Sequence, residues 1–223
     1  MRLLNISNLK ICLILSPVLL ISCNQVGSNA CGGADNTGVC LGADSIAPTY
    51  NDGNTLNVDI YRDICEPGPP PVDEIFTDHN ATVTFSASLI GNAPTNVTRI
   101  RLTRYTISYT LNPGSDNPAL GPAIPPFQAS NFGTGETIDI SVGGTTTIDL
   151  SLFDLQQKRD FVCTVDAPSD QCTQVFNGIG ASFIDFPSYT AHYTFFGEDD
   201  YGNEVFATGA TEIKIGHYDY CPA

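Results

Sequence analysis

Along much of the chain apolar residues recur at every second position, in short runs broken by turn residues, which is the period of strands with one buried face. The clearest run sets Val83, Phe85, Ala87 and Leu89 against Thr82, Thr84, Ser86 and Ser88. Leu56, Val58 and Ile60 predict an earlier strand. Tyr189, Ala191, Tyr193 and Phe195 predict a later one, and 205–215 the last strand or pair. Within 99–111 the parity changes, from Ile100 and Leu102 to Tyr105, Ile107, Tyr109 and Leu111; a bulge near Thr103 and Arg104 would keep both sets inward, the alternative being a strand covered on both faces. Ile138, Ile140 and Val142, then Gly143-Gly144, then Ile148, Leu150 and Leu152 predict a hairpin with a glycine turn. Residues 153–159 are the one short helix, 66–71 a stiff proline-rich connection, and 112–135 a long Pro/Gly loop.

About seven strands with turn signals between them, and no repeat of 20 to 50 residues, predict an all-β fold, an immunoglobulin-like β-sandwich of about seven strands in one copy. The last strands, joined by the acidic turn Glu198-Asp199-Asp200-Tyr201-Gly202-Asn203-Glu204, are similar over about 30 residues to bacterial surface immunoglobulin-like domains.

The N-terminus breaks the alternation. Arg2 and Lys10 precede a run, 11–21, that is apolar all round, the layout of a secretory signal. Eleven helical residues reach roughly 16 Å, too short for a bilayer core of about 30 Å. Leu20-Ile21-Ser22-Cys23 at the end of this run resembles the lipobox of bacterial lipoproteins. That resemblance implies a diacylglyceryl group on the Cys23 thiol, cleavage after Ser22 and acylation of the new amine. The membrane is then reached through acyl chains on Cys23, two signals being enough for stable anchoring. Asn24 after the cysteine resembles the enteric pattern sent to the outer membrane, so the implied location is the bacterial cell envelope. The alternative is ordinary cleavage, with Cys23 in a disulfide. The expected organisation is a signal peptide at 1–22, a lipidated cysteine and glycine-rich tether at 23–54, and the folded body at 55–223.

Removing 1–22 leaves seven basic residues (nine less Arg2 and Lys10) against 24 acidic ones, a net charge of about −17. That excludes a nucleic-acid partner, whose backbone needs a cluster of cations; the one local cluster is Arg99, Arg101 and Arg104. Six cysteines beyond Cys12 and Cys23 form an even set suited to an oxidising compartment, with fifteen possible pairings. Spacing favours Cys31 with Cys40 and Cys163 with Cys172 as local pairs, and Cys65 with Cys221 as the pair that flanks the body. The set has no paired C-x-x-C and no nearby histidine, which argues against zinc.

No G-x-S-x-G, P-loop or dinucleotide fingerprint occurs, so no enzyme class or cofactor is indicated. His79, His192 and His217 lie far apart in sequence, and His192 falls on the outward parity of its strand, a surface or cross-strand position. Asp199, Asp200 and Asn203 offer hard oxygens of the kind calcium takes, joined by Asp73, Glu74 and Asp78 if the two loops share an end, but without the spacing of an EF-hand. A solvated β-turn is the expected role there, and no metal is assigned. Nine tyrosines without tryptophan read as strand packing rather than a sugar platform. The expected function is a non-enzymatic, lipid-anchored envelope protein that presents its sandwich to an envelope or extracellular protein partner. A glycan- or calcium-binding surface domain and an unrecognised envelope enzyme are the alternatives.

Overall fold

Alternation becomes two sheets packed on one core, antiparallel throughout except where residues 57–59 lie parallel to residues 214–216. The structure, a computed structural model, describes residues 26–28, 38–50, 53–62, 64–66, 72–73, 76–90, 96–112, 124–129, 132, 137–165, 188–218 and 221. In chain order the strands are β1 (Val26–Ser28), β2 (Val39–Tyr50), β3 (Gly53–Asn54), β4 (Asn57–Asp59), β5 (Ile64–Glu66), β6 (Val72–Asp73), β7 (His79–Leu89), β8 (Arg99–Leu111), β9 (Phe127–Ala129), β10 (Ile138–Ser141) and β11 (Thr145–Phe153). Helix α1 (Leu155–Val165), β12 (Ser188–Asp199) and β13 (Glu204–Gly216) complete them.

Sheet A is built on β13, β12 and β8, with β9 and β10 on the outer edge of β8 and β1 and β4 on that of β13. Sheet B runs β11-β7-β2-β3, and β5 pairs with β6 apart from both. The class is all-β, as expected. The two sheets hold seven and four strands rather than about seven in all, because β1, β3, β4 and β9 add marginal pieces of two or three residues, and they curl as a half-barrel round the core.

The inner faces are those predicted except at the ends of β7, where Ala81 joins the buried set and Leu89 leaves it. Ala81, Val83, Phe85 and Ala87 of β7 meet Tyr189, Ala191, Tyr193 and Phe195 of β12, all buried, with Phe85 edge-on to Phe195 at 4.7 Å between ring centroids. Leu89 ends its strand exposed. Ile46 Cδ1 fills the place where a Cβ on Gly209 would stand, 2.5 Å away, so this glycine lets the two sheets approach. Burial lifts the phenols of Tyr105 and Tyr189 to about 12, in keeping with tyrosines used for packing.

Residues 39–50, expected in the tether, instead form β2, whose Leu41, Ala43 and Ile46 are core residues. A bulge at Asp44 changes the parity, so both halves of the strand face inward. The Gly143-Gly144 turn is present, but its arms are not a hairpin. β10 pairs with β8 in sheet A and β11 with β7 in sheet B, so the turn carries the chain from one sheet to the other. The short helix runs further than expected and closes one end of the core. Asp154 and Gln157 cap it reciprocally, Asp154 Oδ1 accepting from the Gln157 amide at 2.7 Å and Gln157 Oε1 from that of Asp154 at 3.1 Å. Phe161 and Val162 face inward, and the buried Lys158 donates to the Thr77 carbonyl at 2.8 Å between the rings of Tyr50 and Phe76. Cys65 is bonded to Cys221, with Cα atoms 5.3 Å apart, as the flanking pair predicted. Among the described residues no helix is long and apolar enough to cross a membrane.

Candidate functional site

The expected bulge in β8 builds the most distinctive surface feature among the described residues. Phe196 opposes Arg104 and Gly197 opposes Leu102, which leaves Thr103 as the extra residue. Ile100, Leu102, Tyr105 and Ile107 therefore all stay buried, while Thr103 and Arg104 both leave on the outer side. Gly197 is required at this point: a Cβ there would lie 2.7 Å from the Arg101 carbonyl oxygen, a backbone atom that cannot swing away. The Thr103 hydroxyl donates to the Phe196 carbonyl at 3.3 Å and pins the bulge to β12.

Arg104 is thereby laid over the Phe196 ring, its guanidinium carbon 3.8 Å from the centroid. Phe206 stands next to Phe196 in register on β13, and Thr103, Glu198 and Glu204 are among the other residues that line a shallow open cleft there. The guanidinium is exposed and joins no ion pair among the described residues. Its neighbours in sequence differ. Arg99 binds Asp139 at 2.6 Å and Asp200 at 3.1 Å, and Arg101 binds Asp139 at 3.4 Å and Glu198 at 3.9 Å. Of the three-arginine cluster, only Arg104 makes no ion pair among the described residues, and its planar fork is held flat by an aromatic face.

The acidic turn spends its oxygens internally. Asp199 Oδ1 accepts from the amides of Tyr201 at 2.8 Å and Asn203 at 2.9 Å, and Oδ2 accepts from Asn203 Nδ2 at 2.9 Å. Asp200 Oδ2 accepts from the Thr98 amide at 2.7 Å and hydroxyl at 2.8 Å, and Oδ1 from Arg99 Nε at 3.1 Å. These donors, the Thr98 amide foremost, hold the Asp200 carboxyl down at about 2. Asp78 is at the other end of the core, accepting from the Leu155 amide at 2.8 Å, so the two acidic loops do not share an end. Glu74 lies outside the described residues. Among those described, no group of three or more His, Cys, Asp or Glu side chains is arranged to hold a metal.

His192 Nε2 is 2.8 Å from the Thr110 hydroxyl on the neighbouring strand, the cross-strand position its parity predicted. His79 is buried, stacked on Tyr50 with its Nε2 3.2 Å from the Thr55 carbonyl, and His217 packs edge-on to Tyr61. Cys40 and Cys163 are disulfide-bonded. Cys23, Cys31 and Cys172 lie outside the described residues. The stacking of Arg104 on Phe196 had no sequence signal of its own; the predicted bulge was the only pointer to it.

Comparison with protein-family models, with curated proteins and with solved structures gave no match.

Proposed function

We propose that this is a non-enzymatic lipoprotein of the bacterial envelope, held by acyl chains on Cys23, whose outer sheet-A face binds another protein. The cleft at the bulge carries the reading. A free guanidinium stacked on one phenylalanine, with a second beside it, has the arginine-and-aromatic composition of interface hot spots rather than of ordinary protein surface. The anchor rests on the lipobox resemblance at Leu20-Ile21-Ser22-Cys23. An immunoglobulin-like body is supported by connectivity. With β2, β7, β8, β10, β11, β12 and β13 as the principal strands, the first, second and fifth share sheet B and the other four share sheet A. That is the immunoglobulin pattern with the fourth strand moved to the sheet of the third.

Extraction of the native protein from its membranes in mild detergent tests anchor and contact together. The expected result is acyl mass on Cys23 and a complex with a second polypeptide that dissociates in the Arg104→Ala, Phe206→Ala double variant. Soluble, unmodified protein contradicts the anchor, and an acylated protein without a partner contradicts the contact.

A further inference from the structure

The edges of the two sheets are not treated alike. In sheet A both outer edges are covered by short strands, β9 and β10 on one side and β1 and β4 on the other. In sheet B the edge formed by β2 carries β3 at Thr49 and Tyr50, a bulge at Asp44 and a proline at position 48, devices that blunt an edge against pairing. β11 has none of these over Thr145-Thr146-Thr147-Ile148-Asp149, a stretch rich in β-branched residues. Among the described residues no strand adjoins its outer side, and Thr145, Thr147 and Asp149 are exposed. The Ala87 amide donates to Gly144 O at 3.4 Å, and strand alternation from that point turns Thr146 and Ile148 toward β7. The amides and carbonyls of Thr145, Thr147 and Asp149 then point out along the open edge.

We propose that this edge pairs with the same edge of a second copy of the chain, antiparallel about a two-fold axis through Thr147. The complement of a row of strand amides and carbonyls is another strand, and this segment complements itself. In that register Thr147 meets Thr147, and Asp149 meets Thr145 of the other copy. The two Asp149 carboxylates stand about 14 Å apart along the strands, beyond a Debye length of about 8 Å at physiological salt. A register centred on Asp149 places like charges face to face and is disfavoured. The pairing joins the two copies of sheet B into one continuous sheet, and the interface is isologous. It depends neither on the lipid nor on the cleft of sheet A. Because each copy is strongly acidic, association strengthens as salt rises.

Sedimentation of the full-length protein in detergent, over a concentration series, tests this with charge-placement variants at outward positions. The expected result is a weak reversible dimer, tighter at high than at low salt. Thr145→Asp, which sets two carboxylate pairs face to face across the axis, weakens it about two- to thirtyfold. Thr145→Lys tightens it by a similar factor, and Thr145→Asp with Asp149→Lys restores it. Thr147→Pro, which removes an outward amide, abolishes the dimer, and an unchanged circular dichroism spectrum shows that the fold survives. A monomer at every concentration and salt overturns the proposal. So does a dimer that ignores the charge at position 145.

Discussion

On the outward face of sheet B, polar groups answer one another across the strands. Thr82 donates to Asp149 Oδ1 at 2.5 Å, the Thr84 and Thr147 hydroxyls lie 3.2 Å apart, and Ser86 donates to Asp44 at 2.9 Å. On the outward face of sheet A, one row sets Arg101, Glu198 and Glu204 side by side, the next Arg104, Phe196 and Phe206, and the next Thr106, Thr194 and Thr208. Both faces come from the same alternation and cover the same core. The difference lies in what remains unsatisfied. Cross-strand pairs are the unit of sheet stabilisation, and in sheet B they engage the hydroxyls of Thr82, Thr84, Thr147 and Ser86. In sheet A a guanidinium and two half-buried rings are left facing water, which the fold itself does not require.

If the two sheets differ only outwardly, their inner faces should respond alike. Phe85 and Phe195 are both fully buried and touch edge to face. Phe85→Ala and Phe195→Ala are each expected to cost about 3–5 kcal/mol in denaturant unfolding. A cost near zero for either would show that one sheet contributes little to the shared core.

Acid separates the two sheets by position. His79, on the first residue of β7, is held neutral down to about 4, below its ordinary 6.5, by burial first and by the nearby Lys158 charge second. The unfolded chain takes up that proton sooner, so stability is lost as pH falls from about 6.5 to about 4, by roughly 3 kcal/mol. Asp200, at the end of sheet A, contributes stability that is present above its unfolded value of 3.8 and lost as pH falls through about 2. Stability measured against pH is thus expected to fall in two stages. His79→Gln should flatten the upper stage and Asp200→Asn the lower. A profile flat between 6.5 and 4 would contradict the burial of His79.

The smallest effects are expected where the faces differ most. Thr84→Ala should change stability by no more than about 0.5 kcal/mol, and Arg104→Ala by about 0.5–1 kcal/mol, the value of an exposed cation on a ring. A cost of several kcal/mol for Arg104→Ala would make that side chain part of the fold instead of a group kept for a partner.

Much of this architecture is legible in the alternation. The inward positions of β12, and of β7 from Val83 to Ala87, are legible directly, and the change of parity between Leu102 and Tyr105 marks the bulge at Thr103 and Arg104 that the structure contains. β2 is hidden for a related reason: its parity also changes, at Asp44, and with Gly38 before it and Asp52-Gly53-Asn54 after it the run reads as tether. The glycine turn after Val142 was visible, yet which strand each arm bonds is decided by long-range pairing that a local pattern does not encode. The same limit applies to Asp78 and Asp200, whose opposite ends follow from strand direction, and to Arg104 and Phe196, which meet only through the register of β8 on β12.

Site-specific photo-crosslinking in intact cells tests the contact face most directly, with the photoreactive residue placed at Phe206 on sheet A or at Thr84 on sheet B. A discrete adduct to another protein is expected from position 206, lost when Arg104→Ala is added, and none from position 84. Adducts from position 84 with none from position 206 would contradict that contact face.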